Sequence, residues 1–245
     1  MNLKKTLNFF FLFFVLTTIN LFSEGHPILK ENMAKATPGD FIVTNQGKMF
    51  TVLYIRDKVP NGLILEEISI PKDRIPKNNF NWREWVEKQG PGNSSWVMYR
   101  LNTTNGDIEA SFSYTKNCWF KIRDNENFLS TLMNTNFYLI PFKERKRVGP
   151  RGSNPSGKEA RELWTPKMTV NGNIINNVSF NAWRSRWPND GSDLAGKAIE
   201  IYIPEKSDKY PSYFPYWLQI SGIIGNAKIR IVESGSGLKS PKPLM

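Results

Sequence analysis

The run "DFIVTNQGKMFTVLYIRDKVPNGLILEEISIP" (Asp40–Pro71) restricts the fold more than any other part of the chain. Three stretches rich in Val, Ile, Leu, Phe and Tyr are separated by Asn-Gln-Gly and Pro-Asn-Gly. Strand formers broken by turn residues at this spacing predict three β-strands joined by tight turns, with glycine supplying the positive φ. The middle strand sends Phe50, Val52 and Tyr54 to one face and Met49, Leu53 and Ile55 to the other. A strand that is apolar on both faces belongs inside a sheet and is covered twice. Glu66 and Glu67 are neighbours in the third strand, so they point to opposite faces and do not form a pair.

The rest of the chain repeats the pattern. "HPILKENMAKA" is a short helical lead-in. "NFNWREWVEKQGPG" carries Trp82 and Trp85 one turn apart on a brief helix that Gly90 and Pro91 terminate. Asn105-Gly106 marks a hairpin, after which Ile108, Ala110, Phe112 and Tyr114 alternate with polar residues as a strand buried on one face. A second hairpin turns near Lys116-Asn117. "DNENFLSTLMN" is helical, with Asp124 as its cap and Phe128/Leu132 and Leu129/Met133 as i,i+4 pairs. Strands follow in "KMTVNGNIINNVSFNAWRSRW", turning at Asn171-Gly172, and in "GKAIEIYIP", "YWLQISGI" and "AKIRIVES". These elements predict a mainly β (α+β) fold, an antiparallel sheet or open half-barrel with a few short covering helices.

Composition fixes the compartment and removes whole reaction classes. "MNLKK" followed by the apolar "FFFLFFVL" and by "LFSEG" has the order of a secretory signal peptide, expected to be cleaved after Ser23. A spanning helix wants about 20 mostly apolar residues, and Asn8, Thr17, Thr18 and Asn20 interrupt this run. Cleavage removes Lys4 and Lys5 and no acid, lowering the formal charge from +11 to +9. An exported cationic chain is drawn to anionic membrane surfaces or acidic wall polymer, while nucleic acid lies in the wrong compartment. Cys118 is the only cysteine, so no intrachain disulfide forms, and its setting among strand formers predicts a small buried hydrophobe. His26 is the only histidine and falls just after the cleavage point, as the third residue beyond it. Triads and His-ligated zinc would therefore need a frayed terminus. No GxGxxG, P-loop, HExxH or GxSxG occurs, and neither cofactor nor metal is expected.

The expected organisation is a signal peptide at 1–23, a helical lead-in at 24–38 and a single β domain at 39–233. A basic Pro/Gly-rich connection at 143–157 ends in a small helical piece, and 234–245 is a disordered tail. Three candidate sites stand out. "KYPSYFPYWLQISG" groups Tyr210, Tyr213, Phe214, Tyr216 and Trp217 around two prolines. Rigid aromatics of this kind suit a ligand-binding platform, yet they equally suit the core, since the segment runs directly into a strand. "KERKRVGPR" supplies Lys143, Arg145, Lys146, Arg147 and Arg151 for anion binding, against a solvated loop as the plain alternative. Asp190 and Asp193 in "SRWPNDGSDLAGK" form the one carboxylate pair suggestive of catalysis, although Asp and Asn favour such turns in any case.

Taken together, "GDFIVTNQGKMFTVLYI", "WRSRWPNDGSDLAGKAIEIYIP" and "YPSYFPYWLQISG" resemble uncharacterised exported proteins of chlamydia-like bacteria, over much of the chain after residue 23. That resemblance implies no activity. The architecture is also similar to periplasmic lipoprotein carriers and related half-barrels that hold acyl chains, a likeness of fold that does not fix function. The expected function is a non-enzymatic, exported envelope protein that contacts anionic surfaces and binds an apolar or amphiphilic ligand or a protein partner. The alternative is a carboxylate hydrolase acting on wall glycan through Asp190 and Asp193.

Overall fold

The computed structural model describes residues 24–76, 80–122, 128–150, 152, 159–206, 209–222 and 225–245. The signal-peptide segment, Asp124 and Arg151 lie outside these residues. The three-strand run forms as its pattern dictates: β1 (Phe41–Gln46), β2 (Met49–Val59) and β3 (Gly62–Pro71) pair antiparallel in sequence order. β4 (Ser95–Asn102), β5 (Ile108–Ser113) and β6 (Cys118–Phe120) extend this meander to one edge. On the other side β1 pairs with β15 (Gly225–Gly235). The order then continues through β14 (Trp217–Gly222), β13 (Ala198–Pro204) and β12 (Phe180–Arg186) to β7 (Tyr138–Leu139). β10 (Met168–Val170) and β11 (Asn173–Ile175) form a hairpin joined to β15 by a single parallel bridge, and β8 (Arg147–Val148) pairs with β9 (Glu162–Leu163) apart from the main sheet. The sheet is large, open and not closed into a barrel.

Period two puts the two faces of β2 into different cores. Leu53 and Ile55 join the apolar cluster that includes Leu29 and Met33 of α1 (Ile28–Lys35) and Leu132 and Met133 of α3 (Phe128–Asn134). Val52 and Tyr54 join Trp85 and Val86 of α2 (Trp82–Glu87), with Trp96 and Leu238. Burying such side chains contributes about 1.5–3 kcal/mol each before the entropy of ordering is set against it. The Asn81 side chain caps α2 by accepting from the Glu84 amide at 3.2 Å, and the Gly90 amide closes it on the Trp85 carbonyl at 2.8 Å.

Five local expectations are corrected. In the Pro-Asn-Gly turn it is Asn61, not Gly62, that takes the positive φ, at 59°. Gly62 is needed for another reason: a Cβ there would lie 2.4 Å from the Leu101 carbonyl oxygen of β4. β5 is not buried on one face alone, because Ser111 and Ser113 are covered as well as Phe112. Cys118 is exposed, since its strand-forming neighbours make a three-residue edge strand in which Trp119 is 55% exposed. The helical piece expected before Trp164 is instead the short pair β8–β9, which draws Trp164 onto Tyr202 and Trp217. Lastly, the segment expected as a disordered tail at 234–245 is held in place: Ser234 and Gly235 end β15, Leu238 is buried, and the Ser240 hydroxyl donates to Glu66 at 2.7 Å.

Candidate functional site: a basic aromatic patch beside β13 and β14

Two of the three sequence candidates meet in space. Trp217 begins β14, opposite Tyr202 of β13 and Arg230 of β15. Alternation turns its neighbours Tyr216 and Leu218 into the core, where both are buried, and leaves Trp217 half-exposed on the other side. Trp164, delivered by the β8–β9 pair, packs edge-on against Trp217 and against Tyr202, each with centroids 4.9 Å apart. Lys146, from the basic connection, sets its ammonium 4.7 Å from the Trp164 ring centre and 5.8 Å from that of Trp217. Lys228 of β15 also reaches the Trp217 ring, at 5.8 Å. Lys146, Lys228 and Arg230 are all solvent-exposed. A cation over an indole face is stabilised by about 0.5–1 kcal/mol at an exposed site, which holds the charges in place without neutralising them.

The remaining platform aromatics have structural work. Tyr213 is buried and donates to the Leu53 carbonyl at 2.8 Å, and the Tyr216 hydroxyl pairs with that of Ser234 at 2.9 Å. Burial pushes both phenol pKa values up. Phe214 is buried with them, while Tyr210 is half-buried beside a separate cleft near Asp40. Burial leaves Trp217 and Tyr210 as the segment's partly accessible rings.

The basic connection divides in the same way. Lys143 and Lys146 are exposed. Arg145 is not available: its side chain is only 13% exposed and donates to the Ile140 and Phe180 carbonyls at 3.2 and 3.1 Å and to Asn181 at 3.1 Å. Arg147 donates to the Arg161 carbonyl at 2.8 Å and stacks on Phe142, whose ring is 59% exposed. Arg151 lies outside the described residues.

An open groove of about 1270 Å³ adjoins the patch, between α3 and the β7–β12–β13 edge. Leu139, Ile140 and Pro141 give it an apolar wall, and Arg184 of β12 pairs there with Glu144 at 2.9 Å. Glu200 links groove and patch: it lines the former and accepts from the Tyr202 hydroxyl at 2.7 Å. Of the third candidate, Asp193 is exposed and Asp190 is spent on its own turn. Asp190 accepts from Trp187 Nε1 at 2.8 Å and from the Ser192 amide at 2.9 Å, and these hydrogen bonds, Ser192 first, hold its carboxyl below the ordinary range. Among the described residues no group of three His, Cys, Asp or Glu side chains is arranged to hold a metal.

The sequence pointed to Lys146 and Trp217 separately. It did not reveal that Trp164, Lys228 and Arg230 complete the patch, because strand pairing far along the chain brings them together. The one available signal was that Lys228 and Arg230 alternate with the apolar Ala227, Ile229 and Ile231.

No curated protein matches the chain. Among solved structures, the hypothetical protein CT021 from Chlamydia trachomatis is similar, with a TM-score of 0.61 at 18% identity, covering 89% of this chain and 96% of that one. At this identity the likeness establishes the fold and carries no activity. The family model described as CT021 protein matches residues 51–176, just over half of the sequence, from β2 through the basic connection to β11. The chain therefore belongs to the CT021 protein family.

Proposed function

We propose that the chain is an exported, non-enzymatic protein of the bacterial cell envelope. It contacts anionic surfaces through the Lys146–Trp164–Trp217–Lys228 patch and takes an apolar or amphiphilic ligand, or a protein partner, in the adjoining groove. The observation that carries this is the pair of exposed lysines held over Trp217. Cations beside amphipathic rings match an interface between headgroups and water. The exposed Phe142 and Val148, interleaved with Lys143, Lys146 and Arg147, support the same contact, as do the secretory character of residues 1–23 and the charge of +9 that remains without them. Each lysine or arginine near an anionic surface contributes about 1 kcal/mol, so Lys143, Lys146, Lys228 and Arg230 together supply a useful affinity.

The carboxylate alternative has less support, because both oxygens of Asp190 are engaged within its own turn. Flotation of the protein with vesicles, with and without anionic lipid, at low and high salt tests the proposal. Binding confined to anionic vesicles and weakened by salt is expected. Equal binding to neutral vesicles, or none to either, would refute it.

A further inference from the structure

After β15 the chain passes through Ser236 and Gly237 and crosses the sheet face that carries Trp96 and Tyr114. The crossing is close. Gly237 takes a φ of +78°, and a Cβ on Gly39 would meet its backbone nitrogen at 3.1 Å. Leu238 is buried, and its amide donates to the Gly39 carbonyl at 3.1 Å. From there to residue 245 no residue belongs to a strand.

What holds this segment is a set of side chains on the sheet that read its backbone. Arg56 donates to the Lys242 carbonyl, and Tyr114 donates to the Pro243 carbonyl at 2.7 Å. The Ser240 hydroxyl donates to Glu66 at 2.7 Å, and the Lys242 ammonium lies 4.9 Å from the Trp96 ring centre. Glu66 is completely buried. It is also paired with Arg56 and accepts from Trp96 Nε1 at 2.9 Å. A buried ion pair in mid-sheet gives packing no advantage over apolar residues of similar volume, so its presence calls for another role. Carbonyl contacts, one hydroxyl contact and an aromatic wall are the means by which proteins recognise extended, proline-bearing peptides. "SPKP" (Ser240–Pro243) suits that mode: each proline fixes its own φ and biases the residue before it to an extended conformation. Little chain entropy is then lost on docking.

We propose that the cleft formed by Arg56, Glu66, Trp96 and Tyr114 is a peptide-recognition site. Its ligand class is an extended proline-containing segment with a hydroxyl residue two positions ahead of a lysine. Leu238–Pro243 is the resident ligand, bound in cis. This site is separate from the basic patch and does not depend on its function.

The test places a protease recognition sequence between Ser236 and Gly237 of the full chain, cleaves the folded protein, and adds a fluorescent synthetic peptide of residues 237–245. The cleaved segment is expected to stay bound through desalting and then to exchange with the peptide. Peptides carrying S240A or K242A should compete about fivefold less well. Near-ultraviolet circular dichroism establishes that the cleaved protein is still folded. The proposal is overturned if cleavage unfolds the sheet, if the segment leaves and the peptide does not bind, if it never exchanges, or if the substituted peptides compete equally.

Discussion

Trp96 Nε1 donates to Glu66 Oε2 at 2.9 Å across neighbouring strands, in a place where the carboxylate has no solvent contact. With Arg56 on its other oxygen and Ser240 sharing Oε2, Glu66 is the polar centre of an otherwise apolar face. Glu66→Ala strands a guanidinium that is only 14% exposed and is expected to cost about 3–5 kcal/mol. Ser240→Ala should cost about 1 kcal/mol. Urea unfolding followed by tryptophan fluorescence measures both, and equal losses would contradict this hierarchy.

Glu67, the next residue, lies on the other face of β3 and makes stability depend on pH. Burial raises its carboxyl pKa, only partly offset by the Tyr99 hydroxyl at 3.4 Å. A raised folded-state pKa means that the native state binds the proton more tightly. Its favourable contribution is therefore complete below the unfolded value and fades as pH rises through the folded one. Glu67→Gln should stabilise the protein near neutral pH, with the advantage over wild type vanishing below about pH 4. Thermal melts across pH 3–8 decide the point; a constant difference would contradict it.

Gly62 and Asn61 separate sterics from backbone preference. Gly62→Ala drives a methyl into the Leu101 carbonyl and should destabilise by about 1–3 kcal/mol, the usual range for overpacking. Asn61→Gly, at a position of positive φ, should change stability by only a few tenths. Comparable losses at both sites would overturn the steric account.

The aromatic segment separates in the same way. Tyr213→Ala and Tyr216→Ala remove buried rings and should cost about 3–5 kcal/mol. Trp217→Ala should cost less in stability but weaken binding to anionic vesicles. Paired melts and flotation assays on the three variants check this; a binding defect common to all three would mean that the patch is not distinct from the core.

How much of this was legible in the sequence depended on distance along the chain. Alternation in Met49–Val59 was enough to place β2 inside the sheet with both faces covered, and the Asn-Gly turns marked their hairpins because positive φ is a local demand. Cys118 was misread because strand propensity does not say whether a strand lies at an edge. The tail was misread because its polar, proline-rich composition looks the same whether it is solvated or docked, and residues far upstream, among them Arg56, Glu66 and Tyr114, decide between the two. The patch escaped for the same reason: Lys146, Trp164, Trp217 and Lys228 come from four separate segments.

The central claim, that exposed cations fixed over Trp164 and Trp217 drive surface binding, is tested most directly by floating wild type and the K146E/K228E variant with anionic vesicles at low salt. Wild type should float and the variant should remain in the dense fraction, with melting temperatures that agree. If both float to the same extent, the patch is not what binds.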